Sequence, residues 1–134
     1  MAHAVDPTVA DQTVLIVDDD EIVRGLLRAL LRVAGLDVVA EAANGERALA
    51  AYRAHRPQIV CLDIDMPGMN GLDVLSQIRS MSAETIVLMI SAETTSENTR
   101  KAIADKADGI IAKPFNTARV MSEIHRALRQ RLRS

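Results

Sequence analysis

Asp18, Asp19 and Asp20 close the apolar run of "VLIVDDD", and Asp63 and Asp65 close that of "IVCLDID". Ser91 follows "TIVLMI", and Lys113, just before Pro114, follows "GIIA". Carboxylates that end apolar runs are costly unless something compensates their charge. Held close together, they either raise one another's pKa or share a cation. Hard oxygen donors with room for water suit Mg²⁺. No His or Cys cluster accompanies them, which argues against zinc. A bound Mg²⁺ would neutralise an anionic substrate and leave one carboxylate free as a nucleophile, and aspartates that accept a phosphoryl group do this chemistry. Phosphoryl transfer needs positioning and charge compensation above all, which a metal, a lysine and a hydroxyl supply.

These residues meet only if the elements before them lie side by side. From residue 13 onward, short β-rich runs alternate with helical patterns. Strands are predicted over 13–17, 37–41, 58–62, 85–90 and 109–112, and helices over 20–35, 45–55, 71–81, 96–106 and 117–132. Ile22, Val23, Leu26, Leu27, Leu30 and Leu31 form one stripe on the first helix, with Gly35 placed to end it. Val120, Ile124, Leu128 and Leu132 form another on the last. Five β–α units with strands apolar on both faces imply an α/β fold, a parallel sheet covered by helices on both sides. Ligand sites in such folds lie at the carboxyl ends of the strands, where every residue named above stands. Residues 1–12 show no period and read as a flexible lead-in, leaving 13–134 as one domain.

The blocks "VLIVDDD", "IVCLDIDMPGMNGLDVL", "VLMISA" and "GIIAKPF" resemble, in order and spacing, the signatures of response-regulator receiver domains of two-component signalling. The resemblance spans roughly residues 13 to 132. It implies a flavodoxin-like (βα)5 three-layer sandwich with strand order 2-1-3-4-5, an order that comes with the family and not with the periodicity. It implies that Asp63 takes phosphate from a histidine of a sensor kinase or phosphotransfer protein. Asp19 would bind Mg²⁺ directly, Asp18 through a water, and Asp65 through its backbone carbonyl, with Asp63 completing the set. Lys113 would pair with the phosphoryl oxygens, the Ser91 hydroxyl would swing towards them, and the peptide before Pro114 would be cis. Asp65 and Glu93 match the positions that flank the path of the hydrolytic water. A downstream protein would dock on the face formed by the fourth helix, fifth strand and fifth helix.

Two positions depart from the family pattern. Ile110 stands where many members carry an aromatic that turns inward, so a rotating ring cannot be the read-out. In "DKADG", Lys106 replaces the usual glycine and puts a charge on the partner face. Taken alone, Asp20 reads as a helix cap, the methionines as core filler, and Arg119, Arg126, Arg129, Arg131 and Arg133 as a solvated basic face.

The bulk numbers are those of an ordinary globular protein: 134 residues, 49% hydrophobic, 25% charged, net charge −2. That charge gives no general pull towards nucleic acid or anionic membrane, and one Tyr and one Phe with no Trp exclude a base-stacking platform. The single cysteine, Cys61, allows no internal disulfide and fits a reducing cytoplasm. The expectation is therefore a signalling phosphoacceptor that modifies only itself, not a metabolic enzyme. A haloacid-dehalogenase-like phosphatase shares the Asp-x-Asp after a strand, but Pro67 stands where that family wants Thr or Val. A DNA-binding regulator would need a helix-turn-helix, which the chain up to "RQRLRS" does not offer, so DNA binding would have to come from sequence not present.

Overall fold

The computed structural model describes residues 9–93 and 97–133. The chain runs β1 (Thr13–Val17), α1 (Glu21–Val33), β2 (Asp37–Ala42), α2 (Gly45–His55), β3 (Ile59–Asp63), α3 (Gly71–Met81), β4 (Ile86–Ser91), α4 (Glu97–Ala104), β5 (Gly109–Ala112) and α5 (Thr117–Arg133). The strands form one parallel sheet in the order β2-β1-β3-β4-β5. Leu62 is the central register point, opposite Val17 on one side and Met89 on the other.

Alternation along each strand makes two cores. Val14, Ile16, Ile59, Cys61, Leu88 and Ile111 face α1 and α5, where they meet Leu27, Leu31, Val120 and Ile124. Leu15, Val17, Val60, Leu62, Val87 and Met89 face α2, α3 and α4, where they meet Leu49, Val74, Ile78 and Ala102. Both faces are covered, which is why the strands read as continuous apolar runs. Cys61 is fully buried and its thiol is pushed up to about 12 by that burial, so it behaves as a small hydrophobe.

The elements start and stop for local reasons. Asp20 caps α1 by accepting from the Ile22 N–H at 2.9 Å. Asn70 and Asp73 form a reciprocal capping box at α3. At the end of α4, the Lys106 N–H donates to the Ile103 carbonyl and the Ala107 N–H to that of Ala102, with Lys106 at φ 65°. This is a Schellman ending with lysine in the left-handed position that favours glycine. It stops α4 at Ala104, two residues short of the expected end; the expected first residue, Ser96, lies outside the described residues.

Two other expectations change. Ile22 and Leu26 are 81% and 53% exposed, so the α1 stripe narrows to Leu27, Leu30 and Leu31 with Val23 beside it. At 100° per residue, Ile22 and Leu26 lie roughly 90° or more from the row that meets the sheet. Residues 1–8 of the expected lead-in lie outside the described residues, whereas Val9 is buried in the α1–α5 core and the Asp11 N–H donates to the Gly35 carbonyl.

The amino ends of the strands are held by polar side chains. Asp108 accepts from the Val87 N–H and the Arg79 guanidinium, both at 2.8 Å, and Arg131 lies 3.0 Å away. Arg79 also donates to the carbonyls of Thr85 and Lys106. Tyr52 and Thr85 share a buried hydroxyl–hydroxyl bond of 2.6 Å. Arg126 reaches the Asp108 carbonyl at 2.6 Å, so two arginines of the basic α5 helix brace the fold.

Candidate functional site

At the carboxyl end of the sheet the strands deliver their polar residues to one place. Asp63 is the last residue of β3 and Ser91 the last of β4, each one position deeper than the sequence pattern suggests. Asp18 follows β1 directly and its N–H donates to the Ala42 carbonyl at the end of β2. Lys113 follows β5, and its N–H continues the ladder to the Ser91 carbonyl at 2.8 Å. The Lys113–Pro114 peptide is cis.

Carboxylate oxygens of Asp18, Asp19 and Asp63 all lie within 4.8 Å of one another. Asp18 and Asp63 are buried, and Asp19 is exposed at the mouth. Lys113 Nζ is 3.0 Å from Asp18 Oδ2 and 3.4 Å from Asp63 Oδ1. Asp18 Oδ1 accepts from the Asp20 N–H, while the buried Oδ2 faces the lysine as an ion pair without a hydrogen bond of good geometry. Burial, then the charge of Asp18, pushes the Asp63 carboxyl up to about 6, against the opposing pull of Lys113 and the Asp65 N–H. Burial draws the Lys113 ammonium down, but Asp18 and Asp63 outweigh it and hold it above its ordinary value.

The local backbone is built around Asp63. The Asp65 N–H donates to Asp63 Oδ1 at 3.2 Å and the Ile64 N–H to the Ile90 carbonyl. Gly68 takes φ 76°, and Gly71 returns so close to β3 that a Cβ there would lie 2.1 Å from the Asp63 carbonyl oxygen. Only glycine permits that approach. The Ser91 hydroxyl is engaged locally, donating to the Glu93 carbonyl and accepting from the Glu93 N–H. Asp65 and Glu93 are exposed at the rim, and Ile110 is partly buried in β5 against the α2–α4 core.

The sequence reading passed over Arg24 and Glu41. Arg24 Nη1 donates to the Asp18 carbonyl oxygen at 2.7 Å, and Glu41, at the end of β2, lies between Arg24 and Arg28. The signal was present: an arginine six residues after Asp18 returns along the helix towards the strand end.

The pocket's donors are all oxygen, two of them buried beside an ammonium, and the donor set is compatible with Mg²⁺. Among the described residues no helix is long and apolar enough to cross a membrane. Residues 14–125 match the family model of the response regulator receiver domain. The chain is 37% identical over 115 residues to chemotaxis protein CheY of Bacillus subtilis, covering 86% of this chain and 96% of that one. It is also 37% identical to the DNA-binding response regulator MtrA of Mycolicibacterium paratuberculosis, covering 89% of this chain but 52% of that protein. Among solved structures, CheY in a CheX–CheY–BeF3–Mg complex from Borrelia burgdorferi superposes with a TM-score of 0.82 at 32% identity, covering 88% of this chain and 90% of that one. These matches do not favour the phosphatase reading. A parallel sheet in this order, its carboxylates and lysine gathered at one end, and relatives aligned across nearly the whole domain have one common explanation: the chain belongs to the response regulator receiver domain family.

Proposed function

We propose that Asp63 accepts a phosphoryl group from a phosphohistidine of a sensor kinase or phosphotransfer protein, so that the chain acts as a phosphorylation-dependent switch or relay intermediate. The observation that carries this reading is the convergence of Asp63, Asp18 and Lys113 within 3.4 Å contacts at the end of β3. An Asp63 oxygen attacks phosphorus as the donor's nitrogen–phosphorus bond breaks. Asp18, Asp19, Asp63 and the Asp65 carbonyl would hold Mg²⁺, which when bound supplies positive charge to the phosphoryl oxygens. Lys113 is the protein's own cation for the same oxygens. Leaving its present bond to Glu93, the Ser91 hydroxyl can donate to one of them, and that movement gives up its hold on the Glu93 backbone after β4. Asp65 and Glu93 border the approach of water and tune dephosphorylation. Ile110 takes part in the switch by packing, not by ring rotation.

Exposed Ile22, Leu26 and Val33 form an apolar row on α1 that begins beside the acidic pocket. The phosphodonor is the partner that must reach both, so we assign it this row. The α4–β5–α5 face, with exposed Ile103 and Lys106, remains for a downstream protein. The setting is the cytoplasm, and neither nucleic acid nor membrane is a partner. The chain turns over no substrate beyond its own phosphate.

Intact-mass spectrometry after incubation with Mg²⁺ and acetyl phosphate, beside Asp63→Asn and an EDTA control, tests the proposal. The expected result is one hydroxylamine-labile phosphoryl adduct on the wild type alone. An adduct that persists in Asp63→Asn overturns the assignment.

A further inference from the structure

Behind the acidic pocket lies a second set of charges that phosphoryl acceptance does not use. Arg24 Nη1 donates to the Asp18 backbone carbonyl at 2.7 Å, and its Nε lies 3.6 Å from Glu41 Oε1. Arg28 Nη1 meets the other Glu41 oxygen at 2.7 Å. The Arg24 and Glu41 side chains are 17% and 24% exposed, so water screens them only in part.

Arg24 holds the backbone of Asp18, whose side chain belongs to the acidic cluster with Asp19 and Asp63, and a guanidinium fork matches a carboxylate better than a lone carbonyl. Here it rests on the neutral carbonyl of Asp18, with its charge answered by Glu41. We propose that Glu41 is a positioning residue for the cation pocket: it neutralises Arg24 and holds its guanidinium on the Asp18 carbonyl, leaving the carboxylates of Asp18, Asp19 and Asp63 to Mg²⁺. The inference rests on the Mg²⁺ site proposed above and adds to it a charge relay from the end of β2.

Glu41→Gln keeps the shape of the side chain and removes the charge. Arg24 and Arg28 are then left unanswered, and Arg24 turns to the acids and competes with the metal. Outer partners of metal ligands typically change affinity by roughly 10–100-fold. Glu41 is one contact further out, so the expected rise in the Mg²⁺ dissociation constant is about tenfold. Arg24→Gln combined with Glu41→Gln removes the competitor and should return affinity to within about twofold of wild type. A brace with no role at the pocket predicts the reverse, because the double variant loses both partners. Arg28→Gln leaves Glu41 wholly to Arg24, and its affinity should equal the wild type's or exceed it by up to about threefold.

The test is titration of the full chain with MgCl₂ at constant ionic strength, followed by amide NMR, whose spectrum also reports that each variant is folded. Weakened binding in Glu41→Gln that is restored in the double variant supports the proposal. Glu41→Gln within twofold of wild type, a double variant no better than the single one, or an Arg28→Gln loss as large as that of Glu41→Gln overturns it. A wild type whose spectrum ignores Mg²⁺ overturns the metal site itself, and this proposal with it.

Discussion

Asp63→Asn should make the metal-free protein more stable, by an amount that depends on pH. The fold raises the Asp63 carboxyl from 3.8 to about 6, chiefly through burial and the charge of Asp18. A group raised by the fold contributes stability that is present below its unfolded value and lost as pH rises through its folded one. Metal-free wild type therefore loses this contribution between pH 4 and pH 7. At 1.36 kcal/mol per tenfold, the span from 3.8 to about 6 amounts to about 3 kcal/mol. The pocket mouth is open at Asp19, so solvent screening reduces this to about 1.5 kcal/mol. Asparagine does not titrate. The variant should match wild type near pH 4 and exceed it by about 1.5 kcal/mol at pH 7.5, or about 6 °C in Tm for a domain of this size. Urea melts of both proteins in EDTA at the two pH values give the difference of differences, in which carboxylates common to both cancel. A gap that does not change with pH, or a variant that is less stable at pH 7.5, refutes the reasoning. Adding Mg²⁺ should narrow the gap, because the metal binds wild type and stabilises it by mass action.

Gly71→Ala forces a Cβ against the Asp63 carbonyl oxygen, so the acceptor strand must shift; acetyl-phosphate labelling should fall at least tenfold while far-UV circular dichroism stays native. Lys106→Gly removes a side chain from a left-handed Schellman position, and urea melts should show a gain of about 0.5–1 kcal/mol. Asp108→Asn leaves the largely buried Arg79 without its counter-charge, with an expected loss of about 2–3 kcal/mol in the same assay. Leu26→Glu should leave stability within about 0.5 kcal/mol and acetyl-phosphate labelling unchanged, yet slow phosphotransfer from a cognate kinase at least tenfold. Equal rates from the kinase would remove α1 from the docking surface.

The sheet and its order of elements were legible because both faces of every central strand are buried, which writes β1, β3 and β4 as unbroken apolar runs. Strand order itself was supplied by family resemblance, since periodicity carries no information on which strands are neighbours. The carboxylates were conspicuous because charge at the end of an apolar run has few structural uses. Other features were written at longer range. Ile22 and Leu26 match the core-facing residues of α1 in type, and only the direction in which the helix meets the sheet separates them. Val9 sits in an aperiodic segment yet buries against α1 and α5, a contact that no local pattern announces. Arg24 and Glu41 are 17 positions apart, and only the adjacency of β1 and β2 brings them together behind Asp18.

The hydroxyl bond between Tyr52 and Thr85 has a spectroscopic consequence. The chain contains no tryptophan and this one tyrosine, so emission excited beyond the phenylalanine absorption band comes from a single ring. That ring is buried and tied to the residue before β4, at the end of the sheet opposite Asp63. Emission from Tyr52 is therefore expected to report unfolding and to be insensitive to events at the carboxylates, a silent background on which a reporter can be written. Phe115, half-buried two residues beyond Lys113, offers the site: in Phe115→Trp, excitation at 295 nm would select light from the rim of the pocket alone.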